Sequence, residues 1–332
     1  MPPSIPRLAL PLIALAACAC SGGPGSRDAG TDGTDDAAEV CQPGSGETLD
    51  LLGWWGTRAW VQVEMVTSPE GIVRMCPDPH PGIALLTLVI NLHTQSGDRI
   101  DYEFVVCEIG MPTVTASLAP CSEEEFLNVN LELGPHLMAY IPSQEFHGHA
   151  EIGGTQPCSA YTSDTLDITY GYDPSVVASD EPLPGWDVEC GGSTPEACVN
   201  DWGSVIDEDG DGHPGVSLQV TTDPVDTIQG QAYTTWRTNP HMHGQVWSST
   251  LIQGDLSPTM EYDVVGSGAD LQGIPMDEAT VKRNIPRFLI PTTGSTYKMV
   301  RVDGEHGSQD LDADGNSIVT CEELMEHLEV LE

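Results

Sequence analysis

Three aspartates at alternate positions form an acidic loop past the middle of the chain. Asp207, Asp209 and Asp211 are interleaved with Gly210 and Gly212, and strand-like sequence lies on both sides. Glycines let a short backbone curl tightly, so the carboxylates can converge on one point as hard oxygen ligands. Calcium prefers such ligands. The loop therefore predicts a calcium site, and a plain acidic turn exposed to solvent is the alternative.

The ligand positions of this loop depart from a regular helix-loop-helix pattern. The aspartates occupy positions one, three and five, and position seven is the carbonyl of His213, but position twelve is Leu218 instead of glutamate. Pro214 also prevents a helix from leaving the loop. The loop thus resembles the aspartate loops of thrombospondin type 3 repeats. This resemblance implies calcium binding with further ligands from elsewhere, for which Asp201 and Asp223 are candidates.

A second acidic loop, close to the end of the chain, offers ligands at five positions of a twelve-residue pattern. These ligands are Asp312, Asp314, Asn316, the carbonyl of Ile318 and Glu323. The loop resembles an EF-hand, which implies calcium binding with Glu323 as the bidentate ligand. It departs from the family at Ser317, where glycine normally supplies the sharp turn. A helix is predicted to leave the loop over 322–331, but no good helix enters it.

Two His-x-His pairs suggest a different metal chemistry. In a strand, both imidazoles of such a pair point to the same face, so His147 and His149 together with His241 and His243 could hold a transition metal. This would support a metal-dependent enzyme or a metal-handling protein. Solvated histidines near loops are the plainer interpretation.

Tryptophans raise a third hypothesis, a small-ligand cup inside a β-barrel. The residues concerned are Trp54, Trp55, Trp60, Trp236 and Trp247. Aromatic side chains in strands more often belong to the core, so the alternative is ordinary packing.

The N-terminus has the features of an export signal. Arg7 precedes the apolar segment 8–17, which is too short to span a bilayer as a helix. The run Leu15-Ala16-Ala17-Cys18 resembles the lipobox of bacterial lipoproteins, which implies lipidation of Cys18. A Gly-, Asp- and Ser-rich tether then extends to residue 46. The resemblance favours a lipoprotein of the outer membrane or cell surface of a Gram-negative bacterium, facing the periplasm or the exterior. An ordinary secretory signal is the alternative.

The charge of the chain limits its partners. The formal net charge is −40, from 51 acidic and 11 basic residues, and such a surface repels phosphate backbones. Nucleic acid is therefore not an expected partner. The expected contacts are a membrane through the lipid anchor and a surface protein, polysaccharide or small ligand that the sequence does not identify.

Cysteine content agrees with export. With Cys18 and Cys20 set aside, eight cysteines remain, an even number that predicts disulfides. The preferred local pairs are Cys107 with Cys121 and Cys190 with Cys198.

Hydrophobic residues alternate with period two along most of the chain, as in 57–66 and 127–133. This pattern predicts a mainly β protein, an antiparallel sandwich or barrel with a short C-terminal helix. Further strands are expected at 84–93, 100–109, 166–172, 216–220, 230–237, 245–253, 260–265, 287–290 and 297–302. The predicted organisation is a signal peptide over 1–17, a tether over 18–46, a first β half over 47–185, a calcium loop with a second β half over 186–305, and an EF-hand-like loop and helix over 306–332.

Sequence motifs of common enzymes are missing. The chain contains no His-Glu-x-x-His, no Gly-x-Ser-x-Gly and no phosphate-binding loop. A non-catalytic structural or binding protein is therefore the favoured interpretation, with calcium as its cofactor.

Overall fold

The computed structural model describes residues 41, 48–71, 73–117, 121, 127–186, 203–223 and 228–332, and Cys41–Glu332 forms one compact unit. The signal peptide, nearly all of the tether, Cys18, Cys190, Cys198 and Asp201 lie outside the described residues. None of the described helices is long and apolar enough to cross a membrane.

The described strands, in chain order, are β1 (Gly53–Val66), β2 (Arg74–Met75), β3 (His80–Ser96), β4 (Arg99–Gly110), β5 (Val114–Ser117), β6 (Leu127–Leu133), β7 (Glu145–Ile152), β8 (Ser159–Ser163), β9 (Ile168–Tyr170), β10 (Val216–Asp223), β11 (Ile228–Thr238), β12 (Met242–Ser248), β13 (Leu251–Leu256), β14 (Met260–Ser267), β15 (Asp270–Leu271), β16 (Ile274–Pro275), β17 (Arg287–Leu289) and β18 (Thr296–Arg301). The described α-helices are α1 (Pro135–Tyr140), α2 (Glu278–Asn284) and α3 (Cys321–Glu326).

Eight antiparallel strands close into a barrel. Their order is β1, β18, β13, β12, β8, β7, β4 and β3, and the pairing of β3 with β1 completes the ring. The long β1–β3 ladder runs from Gly53 opposite Leu92 to Met65 opposite His80. Closure leaves these strands without a free edge, which removes a route to edge-to-edge aggregation.

Alternation along each strand fills the barrel interior. Trp55, Tyr102, Phe104, Tyr161 and Tyr297 are among its largest side chains, and each is at most 2% exposed. The tyrosine ring of Tyr102 lies against Gly148 of β7, where an added Cβ would stand 2.6 Å from the ring. Only glycine at position 148 therefore accommodates that ring without a shift.

A second antiparallel sheet runs β16, β15, β11, β10, β6, β5 and β2, with β14 and β9 also pairing with β11. It shares the main hydrophobic core with the barrel through Leu218, Ala232 and Trp236. A further apolar cluster around Met75, Val114 and Ile228 lies on this sheet.

The C-terminal segment packs on the outside of the barrel. Leu324 and Leu331 are fully buried in a cluster with Val89 and Val302, and a disulfide joins Cys107 of β4 to Cys321 of α3. This segment is therefore held to the barrel both by apolar burial and by a covalent bond.

The expected mainly β antiparallel fold with a short C-terminal helix is confirmed, and the architecture is a barrel with a second sheet. Two predicted elements were wrong in detail. The strand expected over 245–253 is the β12–β13 hairpin, because the chain reverses at Ser249 and Thr250. The helix expected over 322–331 is α3 followed by a short 3₁₀ turn, because His327 leaves the helical conformation with φ −129° and ψ 37°.

The predicted pairing of Cys107 with Cys121 is also wrong. Cys121 bonds to Cys76, and Cys107 bonds to Cys321; a third disulfide joins Cys41 to Cys158. The partners are separated by 45 to 214 residues, and the length of a local loop does not reveal such pairings. Strands from 47–185 and from 186–305 also mix in both sheets.

Candidate metal centre

The first acidic loop lies directly before β10, a strand in the middle of the second sheet. It closes on itself through a bridge between Asp207 and Gly215, in which the Gly215 amide donates to the carbonyl of Ile206 at 2.8 Å. Gly210 and Gly212 have positive φ values of 69° and 91°, a region that side chains disfavour. The glycines thus serve the tight curl that their spacing predicts.

The three aspartates converge as predicted. Ligand oxygens of Asp207, Asp209 and Asp211 all lie within 4.8 Å of one another. Loop amides hold two of the carboxylates: Asp207 accepts from the amides of Asp211 at 3.1 Å and Gly212 at 3.0 Å, and Asp211 accepts from the amide of His213 at 2.8 Å. These bonds orient the carboxylates and offset part of their mutual repulsion.

Asp209 is the exceptional member of the triad. It is only 7% exposed; its Oδ2 accepts from the Ser217 amide at 3.1 Å, and its Oδ1 is buried without a hydrogen-bond partner. Burial raises the pKa of Asp209 above its ordinary value of 3.8, and the charges of Asp211 and Asp207 raise it further. A buried carboxylate oxygen without a partner costs several kilocalories per mole unless a cation or a proton compensates it. The observed arrangement therefore fits a bound cation.

Glu208, between two of these aspartates, has a different role that the sequence did not reveal. Its carboxylate accepts from the hydroxyl of Tyr140 at 3.0 Å and from the amide of Gly171. Burial raises the pKa of Glu208 above its ordinary value of 4.5. The side chain thus anchors the loop to α1 and to the end of β9 instead of joining the triad.

The predicted ligand of His213 is its backbone carbonyl, and its imidazole packs against another residue. The ring stacks on Tyr233 with centroids 4.2 Å apart and planes at 11°. Ser217 is an oxygen donor that sequence analysis missed, and its hydroxyl donates to Asp211. Ser217 is the second residue of β10, directly after the loop, so its position in the sequence could have indicated it. Of the proposed additional ligands, Asp201 lies outside the described residues, and so does the side chain of Asp223.

The second loop also gathers its carboxylates. Ligand oxygens of Asp312, Asp314 and Glu323 lie within 4.8 Å of one another. Asp312 accepts from the amides of Gly315, Asn316 and Ser317 at 2.9, 3.0 and 2.7 Å. Partial burial raises the pKa of Asp312, but these backbone hydrogen bonds outweigh it and leave the pKa lowered. The loop is thus organised around an ionised carboxylate.

Glu323 links this loop to α3. It accepts from the amides of Thr320 at 2.8 Å and Ala313 at 2.9 Å, and the Thr320 bond is the main cause of its lowered pKa. With Thr320 it forms a capping box at the start of α3. Ser317, where an EF-hand has glycine, takes a positive φ of 66°, and its carbonyl accepts from Nε1 of Trp54 at 3.0 Å. The sharp turn is therefore formed despite the serine.

The two histidine pairs are placed on the outer face of the barrel, on or beside β7 and β12. These strands are separated by β8, so the pairs are about 10 Å apart at the backbone. His149 is 2.5 Å from Asp101, and His243 is 4.0 Å from Asp255. His241 and His243 lie with ring centroids 5.9 Å apart.

Only one of the four histidines joins a cluster of ligand atoms within the described part of the chain. His147 lies with Glu103 and Glu145, and the atoms of this group are within 4.8 Å of one another. The side chain of His147 is 69% exposed. The structure therefore does not bring the four histidines into one site.

The five tryptophans do not line one common pocket. Trp54 faces the C-terminal loop, Trp55 lies inside the barrel with its Nε1 donating to the Leu51 carbonyl at 2.9 Å, and Trp60 lies beside the guanidinium of Arg58. Of the five, Trp236 lines an apolar cavity, and this cavity lies on the second sheet instead of inside the barrel.

No protein-family model, no curated protein and no solved structure matches this chain. The acidic triads could hold metal ions, and their donor atoms are the basis for assigning a function.

Proposed function

We propose that this chain is an exported, lipid-anchored calcium-binding protein of the cell envelope with a structural or binding role and no catalytic activity. The buried Oδ1 of Asp209 carries the proposal. This oxygen has no hydrogen-bond partner to compensate its charge, and ligand oxygens of Asp207, Asp209 and Asp211 lie within 4.8 Å of one another.

The donor set favours calcium over other metals. The first loop offers three carboxylates and the carbonyl of His213, and the second offers three carboxylates, an amide oxygen and the carbonyl of Ile318. Hard cations take such oxygen donors, whereas zinc and copper select nitrogen and sulfur. Calcium also accepts irregular geometry and extra waters, which suits short loops whose ligand sets are incomplete.

An ion in the first loop would stabilise the loop and hold it in place next to β10. The loop precedes β10, which pairs with both β6 and β11, and Glu208 already ties it to α1. Extracellular calcium modules have dissociation constants of about 10⁻⁴ to 10⁻³ M. At about tenfold excess of ion over the dissociation constant, one site stabilises the fold by about 1.4 kcal/mol.

Lipid anchoring rests on the run that ends in Cys18 and on the polar tether that follows it. The proposed location is the outer membrane or the cell surface. Mass spectrometry of the N-terminal peptide tests this part separately: a diacylglyceryl-modified Cys18 is expected, and an unmodified peptide that begins at another residue would contradict it.

The test of calcium binding is metal analysis of the purified protein, followed by thermal melts in calcium and in a chelator. Bound calcium and a lower melting temperature in chelator are expected. The Glu323→Gln variant separates the loops, because it removes the bidentate ligand of the second and leaves the first intact.

Zinc or copper in place of calcium would overturn the proposal. Loss of that metal in a His147→Ala variant would then assign it to the Glu103, Glu145 and His147 cluster, and a metal-dependent enzyme or metal-handling role would take precedence.

A further inference from the structure

An apolar cavity of about 120 Å³ lies between the second sheet and α2. Its walls come from strands of the sheet, from α2 and from β17. Representative lining residues are Val114, Ile228, Val264, Leu271, Val281 and Phe288. The volume is comparable to that of engineered apolar cavities of about 150 Å³ that take up benzene.

Three polar side chains of this wall are hydrogen-bonded within the protein. Trp236 donates from Nε1 to Oγ1 of Thr234 at 2.6 Å, and Tyr262 donates its hydroxyl to the Pro286 carbonyl. Asn284 donates to the Thr280 carbonyl at 2.8 Å and accepts from the Val73 amide at 3.2 Å. Because these groups are already bonded, the cavity offers an occupant apolar contact and little hydrogen bonding. An alkyl chain or a benzene-sized ring has the matching chemistry.

Methionines make the wall adaptable. Met75, Met111, Met260 and Met276 all line the cavity. Their unbranched side chains adjust to the shape of an occupant. A flexible hydrocarbon chain is therefore accommodated more readily than a rigid polar molecule.

Basic residues concentrate around the same cavity. Arg74, Lys282, Arg283 and Arg287 are exposed, and each is a sequence neighbour of a residue that lines it. They are four of the chain's 11 lysines and arginines, in a protein of net charge −40. Three exposed acidic residues, Glu132, Glu261 and Asp277, are sequence neighbours of lining residues by the same measure, so exposed charge is nearly balanced here, whereas acidic residues outnumber basic ones 51 to 11 in the whole chain. This local departure from the negative surface favours an anionic group at the edge of an apolar site.

We propose that this cavity binds a fatty acid, with the end of the acyl chain in the apolar space and the carboxylate at the basic rim. The site is separate from the acidic loops, so it goes beyond the calcium-binding function and does not depend on it.

The first experiment is calorimetric titration of the full chain with dodecanoate, dodecanol and dodecyltrimethylammonium, each below its micellar concentration and at one calcium concentration. Dodecanoate is expected to bind most tightly. The Arg283→Gln/Arg287→Gln variant is expected to weaken dodecanoate about tenfold and to leave dodecanol unchanged. The Arg99→Gln/Lys298→Gln variant, with the same charge change on the barrel, is the matched control and is expected to bind like wild type.

Location is tested by quenching tryptophan fluorescence with 12-bromododecanoate. Trp236 lines the cavity, so quenching is expected in the wild type and in Trp247→Phe, and is expected to be lost in Trp236→Phe. A folded Val281→Phe variant, which fills the cavity, is expected to lose at least tenfold in affinity for dodecanoate.

Tighter binding of the cationic detergent than of dodecanoate would overturn the proposal. Equal quenching in Trp236→Phe and wild type would do the same, because the chain would then lie elsewhere. These readouts do not involve metal content, so they distinguish failure of this site from failure of the calcium site.

Discussion

The backbone amide of Ser217, the second residue of β10, donates to Oδ2 of Asp209 at 3.1 Å. This contact holds the aspartate against the second sheet with its other oxygen buried and without a hydrogen-bond partner. The strand therefore both buries the carboxylate and orients it toward Asp207 and Asp211. A loop with the same spacing but without this strand contact would leave all three aspartates in solvent, where their repulsion is screened.

Asp209→Asn is expected to abolish the calcium response of the first loop. The amide is neutral, so the variant no longer requires a cation and loses a charged ligand. In a Glu323→Gln background, wild-type Asp209 should give a calcium stabilisation of about 1.4 kcal/mol at tenfold excess, and the Asn variant close to none. In chelator the Asn variant should unfold at the same temperature or higher, because three clustered carboxylates become two. Thermal melts measure both effects.

Asp98→Asn, on the exposed turn between β3 and β4, is the matched control and should keep the full calcium response. A calcium shift in Asp209→Asn that equals the wild-type shift would mean that the first loop does not hold the ion.

Ser317→Gly should stabilise the protein and strengthen ion binding by the second loop. Ser317 has a φ of 66°, a conformation that costs residues other than glycine about 1 kcal/mol. A gain of that size in the unfolding free energy is expected from urea melts. Ser257→Gly is the control, since Ser257 is exposed and does not have a positive φ. It should lose stability because glycine adds entropy to the unfolded chain. A loss at both positions would contradict the account of Ser317.

Gly148→Ala should destabilise the barrel by about 1–3 kcal/mol. The new methyl group would stand 2.6 Å from the buried ring of Tyr102, and strands on both sides restrict any movement of that ring. Gly110→Ala, where the nearest atom is 3.4 Å away, should be nearly neutral. Urea unfolding of the two variants measures the contrast, and equal stabilities would rule out the packing explanation.

Asp50→Asn should lower the free energy of unfolding by an amount that depends on pH. The hydrogen bond from His306 is the main cause that lowers the pKa of Asp50 from its ordinary value of 3.8. A carboxylate whose pKa is lowered by folding stabilises the protein at pH values above its ordinary pKa, and this stabilisation is lost as pH falls through the folded-state pKa. The difference between wild type and variant should therefore be about 0.5 kcal/mol near neutral pH and should narrow below pH 3.8. In a His306→Ala background, Asp50→Asn should lower the free energy of unfolding by less. If the effects of the two substitutions were fully additive, the hydrogen bond between His306 and Asp50 would not be the cause.

The spacing of residues along the chain was sufficient to predict the acidic loops and most of the strands. Alternate aspartates with glycines gather their oxygens within a few residues, so the convergence of Asp207, Asp209 and Asp211 followed from backbone geometry alone. Period-two alternation likewise predicted β1, β3, β4, β10 and β11, because one face of each strand is buried. The β12–β13 hairpin was missed because its tight Ser249-Thr250 turn carries neither glycine nor proline.

The sequence by itself determined a mainly β chain and two acidic loops that draw their carboxylates together, since these depend on residues close in the chain. Tertiary structure alone decided that Cys107 bonds to Cys321, that Asp209 is buried beneath β10, and that an apolar cavity forms against α2. Each of these depends on which distant strands pair, and pairing is set by the combined burial of the whole core. The order of strands in a closed barrel is not encoded in the spacing of any one segment.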